Sequence, residues 1–122
     1  MKPHISTFQG VNNMKYISVP TSQDAMQRLD FDESIEGDLI EVTINDELFQ
    51  AIINTGIISQ LNQFIEVNID EFEDEKIVGI HDLTMAKSIL AQLSPSDFAN
   101  ASLLVSQIDK AIEYDTGVFF YF

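Results

Sequence analysis

The chain has 122 residues, 45% hydrophobic and 21% charged, which fits one folded domain and excludes wholesale disorder. Six Lys plus Arg against twenty Asp plus Glu give a formal net charge of −14, which argues against direct binding to phosphate backbones or anionic membranes and favours a basic or neutral partner. There is no Cys, so disulfide frameworks, thiol catalysis and Cys-ligated zinc are excluded, and no stretch approaches the roughly 18 apolar residues of a membrane span.

Residues 1–13 are polar, contain Pro3 and Gly10, and lack the apolar run of a signal peptide; they read as a flexible N-terminal arm, or as an upstream start before the second Met-Lys pair at Met14 and Lys15, on a cytoplasmic protein with residues 14–122 as a single globular domain. Lys15 to Val19 has the β-branched and aromatic content of a short strand stopped by Pro20. Thr21-Ser22-Gln23-Asp24 fits a capping box with Thr21 as N-cap, opening a helix to about Leu29. Asp30 to Asp38 reads as an acidic loop around Gly37. In Leu39 to Ile44, Ile40, Val42 and Ile44 alternate with Glu41 and Thr43, the pattern of a strand.

Asn45 is placed to cap a helix whose stripe is Leu48, Phe49, Ile52 and Ile53, with Gly56 as its C-cap. Ile57, Ile58, Leu61, Phe64 and Ile65 repeat the helical spacing and predict a second helix or a kinked continuation. Lys76 to Ile80 predicts a strand, and Asp82 an N-cap for a helix carrying Leu83, Ala86, Ile89, Leu90 and Leu93 that ends before Ser94-Pro95. Ser96 or Asp97 restarts a helix running through Phe98, Ala101, Leu104, Val105, Ile108 and Ile112. Val118 to Phe122 is apolar on both faces and predicts a strand buried between layers, with the Tyr121 hydroxyl needing water or a partner. The expected fold class is α+β, with four or five helices packed on a small sheet.

The net charge conceals a segregation. Between Asp30 and Glu75 there are fourteen acids and no Lys or Arg, eight of them from Asp30 to Glu47 and six from Glu66 to Glu75. Pairing of Glu with Lys four residues on cannot operate inside this segment. These acids either form a solubilising surface or await a cationic partner.

Other chemistry has less support. Asp30, Asp32, Ser34, Glu36, Asp38 and Glu41 follow the spacing of a calcium loop, but Ile35 stands where the sharp turn needs Gly and a strand follows where a helix should. His81 beside Asp82 reads as a helix-start residue rather than a base, because neighbours on a helix point apart. Glu73 and Glu75 form a candidate carboxylate dyad, but a chain without Trp has little with which to build a sugar cleft. No phosphate-cradling or nucleophile-elbow motif occurs. No enzyme activity, metal or cofactor is expected.

The small size, acidity, lack of Cys, αβ mixture and closing phrase Asp115-Thr116-Gly117-Val118-Phe119-Phe120-Tyr121-Phe122 resemble small bacterial immunity proteins, in particular those of contact-dependent growth inhibition systems. The resemblance covers the whole chain loosely and carries no residue-level motif. It implies a cytoplasmic protein that binds a cognate toxin, often a basic nuclease of RNase type, and blocks its active site or substrate path. The physics of the residues agrees, since carboxylates on a rigid frame can occupy a cationic cleft as phosphate surrogates. The expected contact set is Asp70, Glu71, Glu73, Asp74 and Glu75, followed by Asp30, Asp32, Glu33 and Glu36. The rival class is an acidic adaptor or subunit that binds a protein through an apolar surface.

Overall fold

The computed structural model describes residues 14–122, so the arm assigned to residues 1–13 lies outside the described residues. The chain forms four strands, β1 (Lys15–Pro20), β2 (Leu39–Ile44), where apolar and polar side chains alternate, β3 (Asp74–Val78) and β4 (Gly117–Tyr121), which is apolar on both faces. Helical spacing makes α1 (Gln23–Asp30), α2 (Asp46–Asn54), α3 (Ile57–Ile65), α4 (Ile80–Leu90), α5 (Pro95–Asn100) and α6 (Ser102–Tyr114). The fold is α+β, with six helices among the described residues and one antiparallel sheet of order β2-β1-β4-β3.

Register divides the side chains between two unlike faces. Ile17 faces Val42 and Phe120, and Ile77 faces Val118. These residues join Ile52, Ile57, Leu61, Leu83, Leu90, Leu104 and Ile108 in the main core under α2, α3, α4 and α6. Each such side chain contributes about 1.5–3 kcal/mol by leaving water. The other face carries Tyr16, Ser18, Phe119, Tyr121, Asp74 and Lys76 in neighbouring register. Ala25 and Leu29 of α1 and Phe119 are buried yet stand outside the main core cluster, which makes this a second, smaller apolar layer.

Several boundaries differ from the sequence expectation. Ser22, not Thr21, caps α1, its Oγ accepting from the Ala25 N–H at 3.0 Å; the Thr21 hydroxyl instead donates to the Gly37 carbonyl at 3.0 Å. The third strand starts at Asp74 rather than Lys76, and α4 starts at Ile80 after Gly79 rather than at Asp82. Gly79 has φ 99°, so the chain turns there and Asp82 falls in the first turn, where the helix dipole favours an acid. Ser94 caps α5 with Pro95 in its first turn, and Ala101 interrupts what the sequence presents as one helix. Helix α2 ends at Thr55, and Gly56 at φ 80° separates it from α3. Asn45 caps α2 as expected, accepting from the Leu48 N–H at 2.8 Å.

Candidate functional site: a carboxylate-lined face of the sheet

The two acidic runs, some forty positions apart in the chain, meet on the face of the sheet that carries α1. The register places Asp74 opposite Tyr121 and Lys76 opposite Phe119. The C-terminal end of α1 brings Asp30 and Asp32 over the same strands. Together Asp30, Asp32, Asp74, Glu75, Lys76 and Tyr121 line a groove of about 290 Å³, with Leu29 and Phe119 as apolar wall.

Tyr121 reports the field in this groove. Burial pushes its hydroxyl above the ordinary phenol range, and the carboxylates of Asp74, Asp30, Asp32 and Glu41 push the same way. Four acids from three separate segments therefore act on one aromatic ring. Lys76 supplies the local counter-charge, its Nζ 3.8 Å from Asp30 and 5.7 Å from the Phe119 ring centroid. Both partners of that ion pair are half exposed, so it contributes little to stability.

The rest of the first run is folded around an anchor. Asp38 is buried and accepts from Arg28 Nε at 2.8 Å and Nη2 at 2.7 Å, and from the Ile35 N–H at 3.0 Å. The guanidinium, aided by the Ile35 N–H, holds the Asp38 carboxyl well below the carboxylate range, at about 2. Glu33 and Glu36 remain exposed, Glu33 beside Phe31, Asp24 and Arg28 in a shallow depression. The calcium-loop frame thus spends one of its carboxylates on an arginine, and among the described residues no group of His, Asp and Glu is arranged to hold a metal ion.

The second run is held differently. Asn62 grips Ile69, its Oδ1 accepting from the Ile69 N–H at 2.7 Å and its Nδ2 donating to the Ile69 carbonyl at 3.0 Å. The Glu75 carboxylate closes the loop by accepting from the Asn68 N–H at 2.8 Å, and Glu73 lies 3.4 Å from Asn68 Nδ2. Asp70 accepts from the Glu71 N–H at 2.8 Å, and Glu71 pairs with Lys15 Nζ at 3.1 Å. The expected contact residues therefore separate into two groups. Asp74 and Glu75 join Asp30 and Asp32 at the groove. Asp70 and Glu71 face a second cleft of about 430 Å³ beside Phe49, Asn62, Asn68 and Phe122.

Lys15 is the residue that sequence reasoning missed. It is only 3% exposed, with its ammonium 4.7 Å from the Phe49 ring centroid and 5.9 Å from that of Phe72. The signal was present, because alternation along β1 puts Lys15 on the face of Ile17 and Val19. His81 stands in the first turn of α4, as expected, but does not point away from Asp82. Its Nδ1 lies 3.1 Å from Asp82 Oδ1, so the neighbours do meet, but the His81 side chain is 82% exposed and the pair sits on open surface.

The sheet and this face define an acidic α+β protein in which carboxylates from two distant segments, Asp30 and Asp32 with Asp74 and Glu75, line one groove. No family model matches the chain, and no curated protein matches it in sequence. Among solved structures it is similar to the Neisseria DNA mimic protein DMP12, with a TM-score of 0.55 and 14% identity, over 90% of this chain and 99% of that one. At that identity the likeness is one of fold. No helix among the described residues is long and apolar enough to cross a membrane.

Proposed function

We propose that this chain is an acidic decoy, which binds the nucleic-acid-binding surface of a basic protein with its carboxylates standing in for phosphates. The observation that carries the reading is the convergence of Asp30, Asp32, Asp74 and Glu75 on one groove, with Lys76 as its only lining cation among the described residues. A protein that binds nucleic acid must present positive potential, and a rigid array of carboxylates complements that potential and speeds encounter. The shared fold with a DNA mimic supports the same reading. The role is one of binding, without turnover.

The narrower form of this proposal makes the partner a basic nuclease toxin and the chain its immunity protein, acting in the cytoplasm by covering the active site or substrate path. It draws on the composition and the closing aromatic phrase. Close charge pairs across a nuclease–inhibitor interface are worth about 1.5–7 kcal/mol. The test is retention of a partner by the immobilised chain at low and at high salt. The wild type retains a basic nucleic-acid-binding protein at low salt and releases it as salt rises. Replacing Asp30, Asp32, Asp74 and Glu75 by Asn and Gln weakens retention and flattens the salt dependence. Retention that ignores both salt and these substitutions sinks the decoy reading in favour of an adaptor docking through exposed apolar residues such as Phe64 and Ile80.

A further inference from the structure

The two edges of the sheet are finished differently. At the β3 edge the Glu75 carboxylate folds back, accepting from the Lys76 N–H at 2.8 Å and from the Asn68 N–H at 2.8 Å. The strand's own side chain thus fills the place a further strand would take. The β2 edge has no such guard. Its pairing with β1 runs from Lys15–Ile44 to Pro20–Leu39 without a bulge. Leu39–Ile44 also contains neither Pro nor Lys, residues that commonly blunt an edge.

Gln107 shows which backbone groups point outward. Its side chain is buried, and its Nε2 donates to the carbonyls of Ile17 and Ile40, each at 3.0 Å, so both carbonyls lie in the gap between β1 and β2. The Thr21 N–H donates to the Asp38 carbonyl at 2.8 Å in the same alternation. Successive residues of a strand present their N–H and C=O to opposite sides. Leu39, Glu41 and Thr43 therefore present theirs to the open edge. Among the described residues nothing hydrogen-bonds the backbone of Glu41 or Thr43 there, and both residues are exposed.

Such an edge receives an extended segment, gaining affinity from main-chain hydrogen bonds and selectivity from alternate side chains. Residues of an added strand that pair with Glu41 and Thr43 share the Glu41 face, where a cation is the favoured neighbour. Exposed Glu36, Asp46 and Glu47 extend the negative charge past the two ends of β2. The intervening residues lie beside Ile40 and Val42, which are only half-buried. A second copy of this chain offers the wrong charge, since each carries −14. We propose that the β2 edge takes an extended segment of a basic protein as a fifth strand, in which Lys or Arg alternates with apolar residues. This edge stands across the sheet from the β3 side of the groove, so it is a separate point of attachment that does not depend on the decoy reading.

The test titrates the full chain with a synthetic heptapeptide of alternating Lys and Val that begins and ends with Lys. Two further forms are N-methylated, one at the two inner Lys and one at two of the Val. The expected result is binding that slows hydrogen exchange of the Glu41 and Thr43 amides about tenfold. Methylation at Lys removes the donors that face the edge and weakens binding about tenfold, whereas methylation at Val leaves it unchanged. Thr43→Pro removes an outward N–H that no ladder bond uses, so Tm stays near that of the wild type while binding falls about tenfold. The methylated peptides decide the question on the unaltered protein as well. Equal binding of all three peptides, no protection at Glu41 and Thr43, or no binding at all overturns the added strand. A dimer of the chain alone that Thr43→Pro dissolves assigns the edge to a second copy and overturns it too. None of these outcomes alters salt-sensitive retention through Asp30, Asp32, Asp74 and Glu75, on which the decoy reading stands or falls.

Discussion

The two acidic loops reach the same face by opposite means. Residues 30–38 are organised by a charge: Arg28 holds Asp38 in a two-point clasp, and Thr21 ties the loop to the start of α1 through the carbonyls of Gly37 and Asp38. Residues 66–75 are organised by neutral groups, the amide of Asn62 gripping Ile69, with the loop's exit fixed by β3 pairing to β4. In both loops one interior contact sets the backbone and leaves the remaining carboxylates outside. Mutual repulsion among the acids is thus opposed by these anchors and by the Asn68 N–H that donates to the Glu75 carboxylate.

Substitutions at the anchors sharpen the contrast. The largest effect is expected for Gly117→Ala. An added Cβ would lie 2.6 Å from Val78 Cγ2 and 2.8 Å from the Ile77 carbonyl oxygen, so β3 must move away from β4. The expected cost is about 3 kcal/mol in chemical denaturation, with amide exchange rising in residues 66–78 and not in 30–38; equal loosening of both loops would deny that they are independently anchored. Next comes Asn62→Ala, which removes two hydrogen bonds to Ile69 and should cost about 2 kcal/mol. Its readout is again exchange confined to the second loop.

The first loop answers to pH instead. Asp38 ionises at about 2 in the folded protein against an ordinary 3.8. A carboxyl depressed by folding adds stability above its unfolded value and loses it as pH falls through the folded one. Thermal melts should therefore show this contribution in full above about pH 4 and fading towards pH 2. Asp38→Asn should lower Tm at neutral pH and abolish that part of the pH dependence; an unaltered acid profile would remove the clasp from its anchoring role. The smallest effect is expected at Lys15→Met, which keeps the packing against Phe49 while removing the charge opposite Glu71. Stability should shift by less than about 1 kcal/mol, visible as a small change in denaturation midpoint.

Much of this architecture was legible in the residues. The period of two in Leu39–Ile44, the Asn45 cap and the stripe of α3 each follow from local pattern, and the two acidic runs are read directly from the residues. Their convergence was not legible, because it depends on which strands neighbour each other, and β3 pairs with β4 across some forty residues. The clasp between Arg28 and Asp38 escaped for a related reason. Considering cations only within the acidic segment overlooks one that lies two residues before it. The boundary errors near Gly79 and Ala101 reflect backbone turns that apolar spacing does not encode. Phe72 has no periodic signature, since a ring pointing into solvent from a loop belongs to no stripe.

The central position of β4 governs how the molecule comes into being. This strand holds β1 on one side and β3 on the other, and its partner in the pair Ile17–Phe120 lies at the opposite end of the described chain. Local helices and the β1–β2 pair can form early, whereas β3 has no neighbour until β4 is inserted. Closure over so long a separation slows the search for the native state. The groove consequently matures last and all at once, because one late strand brings Tyr121 and Asp74 into the same register. An incompletely folded chain would carry its full negative charge without the register that brings Asp74 beside Tyr121.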